Sequence, residues 1–225
     1  MPRFGRRQRE SGSGATGTVG SDPGERAFEA ALGEAQSDLA AVADELGVLD
    51  VDVQSPSAPS DARDRYDGSL RSFMLAGEQL ERAQRPADLV AVGAALERAR
   101  YDLACTRALL DGADSAARTA PCLFDPRHGL SVAEVQWSPV QTGAATRGDT
   151  RLVPACAADA RRLVDAARPE VRIVSLGGRP TPYWDVPVLY GALLVGYYDR
   201  FGGAQRLTEL LRGTPLGTAL AQRAA

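Results

Sequence analysis

The chain has 225 residues, 44% of them hydrophobic, which excludes wholesale disorder and is compatible with one domain or two small ones. All 26 basic residues are arginine, set against 29 acidic ones, and a formal charge of −3 argues against nucleic acid as a partner because phosphate binding needs a basic face. The longest near-apolar run, Val186 to Tyr198, falls short of the roughly 20 residues of a bilayer span, and no apolar stretch follows the arginine-rich start as it would in a secretory leader. The expected location is therefore cytoplasmic, with the three cysteines as thiols rather than disulfides.

Residues 1–22 end in a glycine- and serine-rich stretch with nothing to bury, and read as a disordered arm. A heptad seam then begins. Phe28, Leu32, Ala35, Leu39, Val42, Leu46 and Leu49 alternate spacings of four and three, behind the start signal Ser21-Asp22-Pro23. Pro56 and Pro59 break this helix, and Ser60 or Asp61 can cap the next. That second helix repeats the pattern at Tyr66, Leu70, Phe73, Gly77, Leu80 and Gln84. After Arg85-Pro86 a third seam runs through Leu89, Val92, Leu96, Ala99, Leu103, Thr106 and Leu110, with Cys105 beside it as a small apolar residue. Three seams of one period joined by short loops predict an up-down-up, three-helix antiparallel coiled-coil bundle over residues 23–112, with helices about 33 Å long.

Asp111 to Pro121 is a linker by composition, and β-like runs follow. Val132, Val135 and Trp137 mark one strand, Arg151-Leu152-Val153 a second, and Thr142 to Asp149 the polar turn between them. Ala155 to Ala167 reads as a helix stopped by Arg168-Pro169. Val171 to Leu176 and an arm through Tyr183-Trp184 flank the turn Gly177-Gly178. These elements predict a small treble-clef-like α/β module over residues 113–203, followed by a helical tail over 204–225.

The chemistry-bearing residues gather here. Cys122 and His128 share a tight loop before the predicted hairpin, while Cys156 and Asp159 occupy the first turn of the helix after it. Residues three apart on a helix share a face, and a helix N-terminus favours thiolate and carboxylate. A loop pair, a hairpin and a helix-start pair follow one another as in treble-clef zinc sites, and zinc accepts this donor set in a closed tetrahedron. A segment of about 80 residues with short strands is marginal alone, and a structural zinc contributes about 10–16 kcal/mol in small peptides. Two other readings use the same residues: buried, unliganded thiols with a hydrogen-bonded His128, or a Cys122–Cys156 disulfide in an exported chain. A catalytic Cys122–His128 pair lacks an orienting group and an oxyanion site in the sequence.

The segments PCLFDPRHGLSVAEVQW, LVPACAADA and GGRPTPYWD, with LDVDVQ and RPADLVAVGAALERARYDLAC before them, resemble an uncharacterised actinobacterial family. In some members a similar region follows a TPM domain, a module described as a phosphatase. The resemblance spans roughly residues 25–201 and is most specific at 121–159. It implies Cys122, His128, Cys156 and Asp159 as the positions matching the family pattern, with Asp159 standing where related zinc knuckles carry a second cysteine. Because some of those relatives are attached to membranes, the resemblance leaves the location open, and membrane association through a partner is compatible with it.

The expected protein is thus α+β, with a structural zinc as cofactor and an unidentified protein as partner. The leading functional expectation is a non-enzymatic scaffold or protein-interaction module. Its alternatives are an accessory partner of a membrane-associated hydrolase and a thiol-based redox or metal sensor using Cys122 and Cys156.

Overall fold

The computed structural model describes residues 23–139, 150–176, 178–186 and 188–224. The N-terminal arm, the turn Thr142–Asp149 and Gly177 lie outside the described residues. Within them the chain is mostly helical, with seven α-helices and two small two-stranded antiparallel sheets, a mixed α+β architecture.

The first helix, α1 (Pro23–Gln54), buries Ala31, Ala35, Val42, Leu46, Leu49 and Val53, and packs Phe28, Leu32 and Leu39 at the margin. Helix α2 (Ser60–Arg82) starts at Ser60 itself, with Pro59 in the capping position, so neither Ser60 nor Asp61 caps it. Its buried face is Ala62, Tyr66, Ser69, Ser72, Ala76 and Leu80, and it lies against α3 (Leu89–Leu110). Small residues let the two backbones approach closely. The Ser69 hydroxyl, sealed in that contact, donates to the Ala99 carbonyl at 3.0 Å. Leu70 and Phe73 are consequently only half-buried, and Met74 and Leu75 are exposed.

Helix α3 is buried on more than its apolar seam. Gly93, Glu97 and Arg100 are enclosed along with Leu89, Val92, Leu96, Ala99 and Leu103. The cause is a later helix, α5 (Val188–Tyr197), which lies across α3 and α1. The crossing is glycine on glycine. A Cβ on Gly196 would sit 2.1 Å from the Val90 carbonyl oxygen and 2.9 Å from Gly93 Cα, and one on Gly93 would sit 2.1 Å from the Leu193 carbonyl oxygen. No side chain larger than hydrogen permits this approach.

The near-apolar run before Tyr198 is therefore a buried helix of the core, and α6 (Gly203–Leu210) and α7 (Pro215–Ala224) continue from it. Buried side chains of α1–α3 and of the chain beyond residue 113 form one continuous apolar cluster. An aromatic group forms part of it: Phe124 meets Trp137 edge-on at 5.6 Å, and Trp184 lies 5.0 Å from both Trp137 and Tyr183.

The first sheet pairs β1 (Ala133–Trp137) with β2 (Arg151–Ala155), Val135 opposite Val153. Helix α4 is shorter than its sequence suggests, Ala157–Val164, and ends before Arg168-Pro169; Ala166, two residues past its end, adopts a positive φ of 55°. The second sheet pairs β3 (Ile173–Leu176) with β4 (Arg179–Pro182), and Tyr183–Asp185 form a short 3-10 turn.

An ionic joint fastens α1 to this later part of the chain. Arg172, just before β3, reaches Asp38 and Glu34 of α1, while its backbone N–H donates to the Phe124 carbonyl at 2.9 Å. The Tyr197 hydroxyl donates to the same Asp38 carboxylate at 2.9 Å. Side chains from two regions distant in sequence thus converge on a single buried carboxylate of α1.

Candidate metal centre

The loop from Pro121 to Leu130 is closed on itself. Pro121 and Leu130 form an isolated bridge, and the Cys122 N–H donates to the Gly129 carbonyl at 3.0 Å. Pro126–His128 make a 3-10 turn headed by Asp125, whose carboxylate accepts the Arg127 N–H at 2.9 Å and grips the Arg127 guanidinium. Gly129 ends the turn at φ 84°, a conformation glycine adopts freely. The loop therefore brings Cys122 at its start and His128 near its end to one side. The Leu123 N–H donates to the Pro154 carbonyl at 2.8 Å, which aligns the loop with β2. Cys156 follows β2 directly and is the N-cap of α4; its sulfur accepts the Asp159 N–H at 3.5 Å.

The four residues predicted from sequence come together. Their ligand atoms all lie within 4.8 Å of one another, so the cluster can hold a metal ion. Around the Asp159 oxygen Oδ2 the separations are 2.9 Å to His128 Nδ1, 3.3 Å to Cys156 Sγ and 3.4 Å to Cys122 Sγ. Cys156 Sγ is 3.8 Å from His128 Nδ1. A tetrahedron with bonds of 2.0–2.3 Å has edges of about 3.3–3.8 Å, and three of these four separations fall in that range. Cys122 and Asp159 are fully buried, Cys156 nearly so, and the His128 side chain is 23% exposed.

The supporting groups were not evident from sequence. Asp159 divides its two oxygens: Oδ1 accepts the Glu170 N–H at 2.8 Å and Arg162 at 3.1 Å, which fixes the carboxylate so that Oδ2 faces the cluster. Arg162 stands one turn along α4 from Asp159, a spacing that is its only signal in the sequence; Glu170 comes from the segment after the helix. Backbone N–H groups of Cys156, Asp125 and Phe124 point at the Cys122 sulfur. In the metal-free chain burial outweighs them and pushes the Cys122 thiol up to about 12. For Asp159 the balance is reversed. Burial favours the neutral acid, but donation from Glu170, Cys156, His128 and Cys122 holds it below the ordinary carboxylate range.

A Cys-His-Asp relay uses the two imidazole nitrogens for different partners, one for the nucleophile and one for the carboxylate. Here both Cys156 Sγ and Asp159 Oδ2 address Nδ1. All three cysteines are free thiols, so no disulfide joins Cys122 to Cys156. Among the described residues no helix is long and apolar enough to cross a membrane. No protein-family model, curated protein or solved structure matches the chain.

Proposed function

We propose that Cys122, His128, Cys156 and Asp159 hold one structural zinc ion and that the chain is a non-enzymatic scaffold or protein-interaction module. The observation that carries this reading is the convergence of four ligand atoms within 4.8 Å from a loop and a helix start on either side of a hairpin. Zinc suits two sulfurs, one imidazole and one carboxylate better than calcium or magnesium, which prefer oxygen. Four protein ligands complete a tetrahedron and leave no coordination position for a substrate, the pattern of structural sites. In this reading the loop, hairpin and α4 form a treble-clef-like unit, and the heptad seams of α1–α3 form a coiled-coil bundle that presents a surface to a protein partner. Val48 and Val51, one turn apart near the end of α1, are exposed apolar side chains suited to such a contact.

Thermal melting with and without a strong chelator tests the zinc; the melting temperature should fall on chelation and recover with added zinc. The interaction role is tested by capturing partners with the intact chain and with a Val48→Asp, Val51→Asp variant, which leaves the core untouched. Identical partner recovery by both would remove α1 as the contact.

A second reading, a thiol-based redox sensor, draws on the proximity of the Cys122 and Cys156 sulfurs. Both remaining reduced and unreactive under mild oxidation would remove it.

A further inference from the structure

A cavity of about 410 Å³ opens where the end of β1, the segment Arg168–Val171, the end of β4 and the α6–α7 turn come together. Its size falls within the range of pockets that hold a ligand. The apolar lining is Trp137, Trp184, Pro169, Val171 and Pro182, and the charged side chains are one guanidinium, Arg168, and one carboxylate, Asp185. Among the described residues, none of α1 and none of the metal cluster takes part.

The polar groups of this cavity are unequally used. Thr214 is satisfied: its hydroxyl donates to the Leu211 carbonyl at 2.8 Å and accepts the Gly217 N–H at 3.1 Å. The two indoles are not. Trp137 and Trp184 are only 4% and 7% exposed, yet neither indole N–H has a hydrogen-bond partner among the described residues, and neither is sealed from solvent. What each ring leaves open lies at the cavity that both line, so both donors face it. Arg168 and Asp185 make no ion pair or side-chain hydrogen bond among the described residues, and burial raises the Asp185 carboxyl above its ordinary value with no cation to offset it.

Two idle donors on apolar rings call for carbonyl acceptors carried on an apolar body. One charge of each sign in the lining disfavours a body with net charge. A proline-rich strand has that composition: every proline contributes a carbonyl and no N–H, so no donor is stranded against the apolar lining. In the polyproline II conformation its carbonyls make no internal hydrogen bonds, and its preformed backbone has little freedom to lose on docking.

We propose that this cavity docks a proline-rich segment of a protein partner in the polyproline II conformation, its carbonyls accepting from the Trp137 and Trp184 indoles and a flanking basic residue pairing with Asp185. The site is separate from the Val48–Val51 face of α1, and the inference stands whether or not the cluster holds zinc.

Trp137 and Trp184 are the two tryptophans of the chain, so the intrinsic fluorescence of the intact protein reports on the cavity. Titration with a capped decaproline peptide led by an arginine should shift the emission saturably. The same peptide with alternate prolines replaced by glycine should bind roughly tenfold more weakly, because its backbone must be ordered and its N–H groups find no acceptor. Asp185→Asn, an exposed position at which circular dichroism should not change, is expected to weaken the arginine-led peptide about two- to fivefold and to leave uncharged decaproline unaffected. Phenylacetate serves as the competing probe. A saturable response to phenylacetate and none to the proline peptides would assign the cavity to a small carboxylate and overturn the proposal. Equal binding of the glycine-containing peptide, or binding of the arginine-led peptide that Asp185→Asn does not alter, overturns it as well.

Discussion

Asp38 and Arg172, 134 residues apart in the chain, meet with neither side chain exposed: Nη1 donates to Oδ2 at 2.8 Å and Nη2 lies 2.8 Å from Oδ1. A buried ion pair is weak evidence for net stability, but removing one partner strands the other charge. Asp38→Ala is expected to lower unfolding free energy by about 3 kcal/mol or more, with Glu34 offsetting part of the loss. Replacing both, Asp38→Leu with Arg172→Met, should cost much less than the single change. Urea denaturation of the three proteins checks the order.

The α3–α5 crossing sets a second expectation. Gly196→Ala places a methyl carbon 2.1 Å from the Val90 carbonyl oxygen, a contact that backbone atoms can relieve only by moving the helices apart. Overpacking typically costs about 1–3 kcal/mol, and backbone-to-backbone overlap belongs at or above the top of that range. Gly33→Ala, where the added atom meets nothing within 4 Å, is the control and should be neutral or slightly stabilising. The measured quantity is the melting temperature of each variant.

Much of this organisation was legible in the sequence, and the exceptions have physical causes. The heptad spacing located α1, α2 and α3 because large apolar residues recurring at that period line up as one stripe along a helix, which must be buried. It located only part of the contact face of α2: Tyr66 and Leu80 are buried as the seam requires, but Ala62, Ser69, Ser72 and Ala76 are buried beside them, because close helix packing favours small side chains that a hydrophobic pattern underweights. It also did not show that α5 covers α3, since the close approach rests on Gly93 and Gly196, which have no side chain for a hydrophobic pattern to register. At the metal cluster the four donors were visible because cysteine and histidine are rare in this chain. Their supports were not, because the Glu170 donor is a backbone N–H and carries no residue signature.

Metal binding should be strongly dependent on pH. The metal-free Cys122 thiol is pushed up to about 12 by burial, so throughout the neutral range the ion must displace its proton. Mass action for that one thiol gives an affinity rising about tenfold per pH unit between pH 6 and 9. Calorimetry in buffers of different ionisation enthalpy should register at least one proton released per ion.

The same thiol sets the alkaline limit of the metal-free chain. Its folded value is raised above the ordinary 9.0, so the native state retains a proton that the unfolded state gives up. The associated stability is present below pH 9 and is lost as pH climbs toward about 12. Asp159 acts in the opposite sense. Its depressed value contributes stability above the ordinary carboxylate range, and that contribution is lost on acidification. Denaturation of the metal-free chain across pH, with Cys122→Ala for comparison, should show the alkaline loss in the parent protein and a smaller one in the variant.

The most direct measurement is elemental analysis of untagged protein, counting zinc atoms per chain in the parent and in Cys156→Ser. One zinc per chain is expected in the parent and markedly less than one in the variant. A parent that binds no zinc when folded and supplied with it, or a variant that retains a full equivalent, would contradict the assignment of Cys122, His128, Cys156 and Asp159 as its ligands.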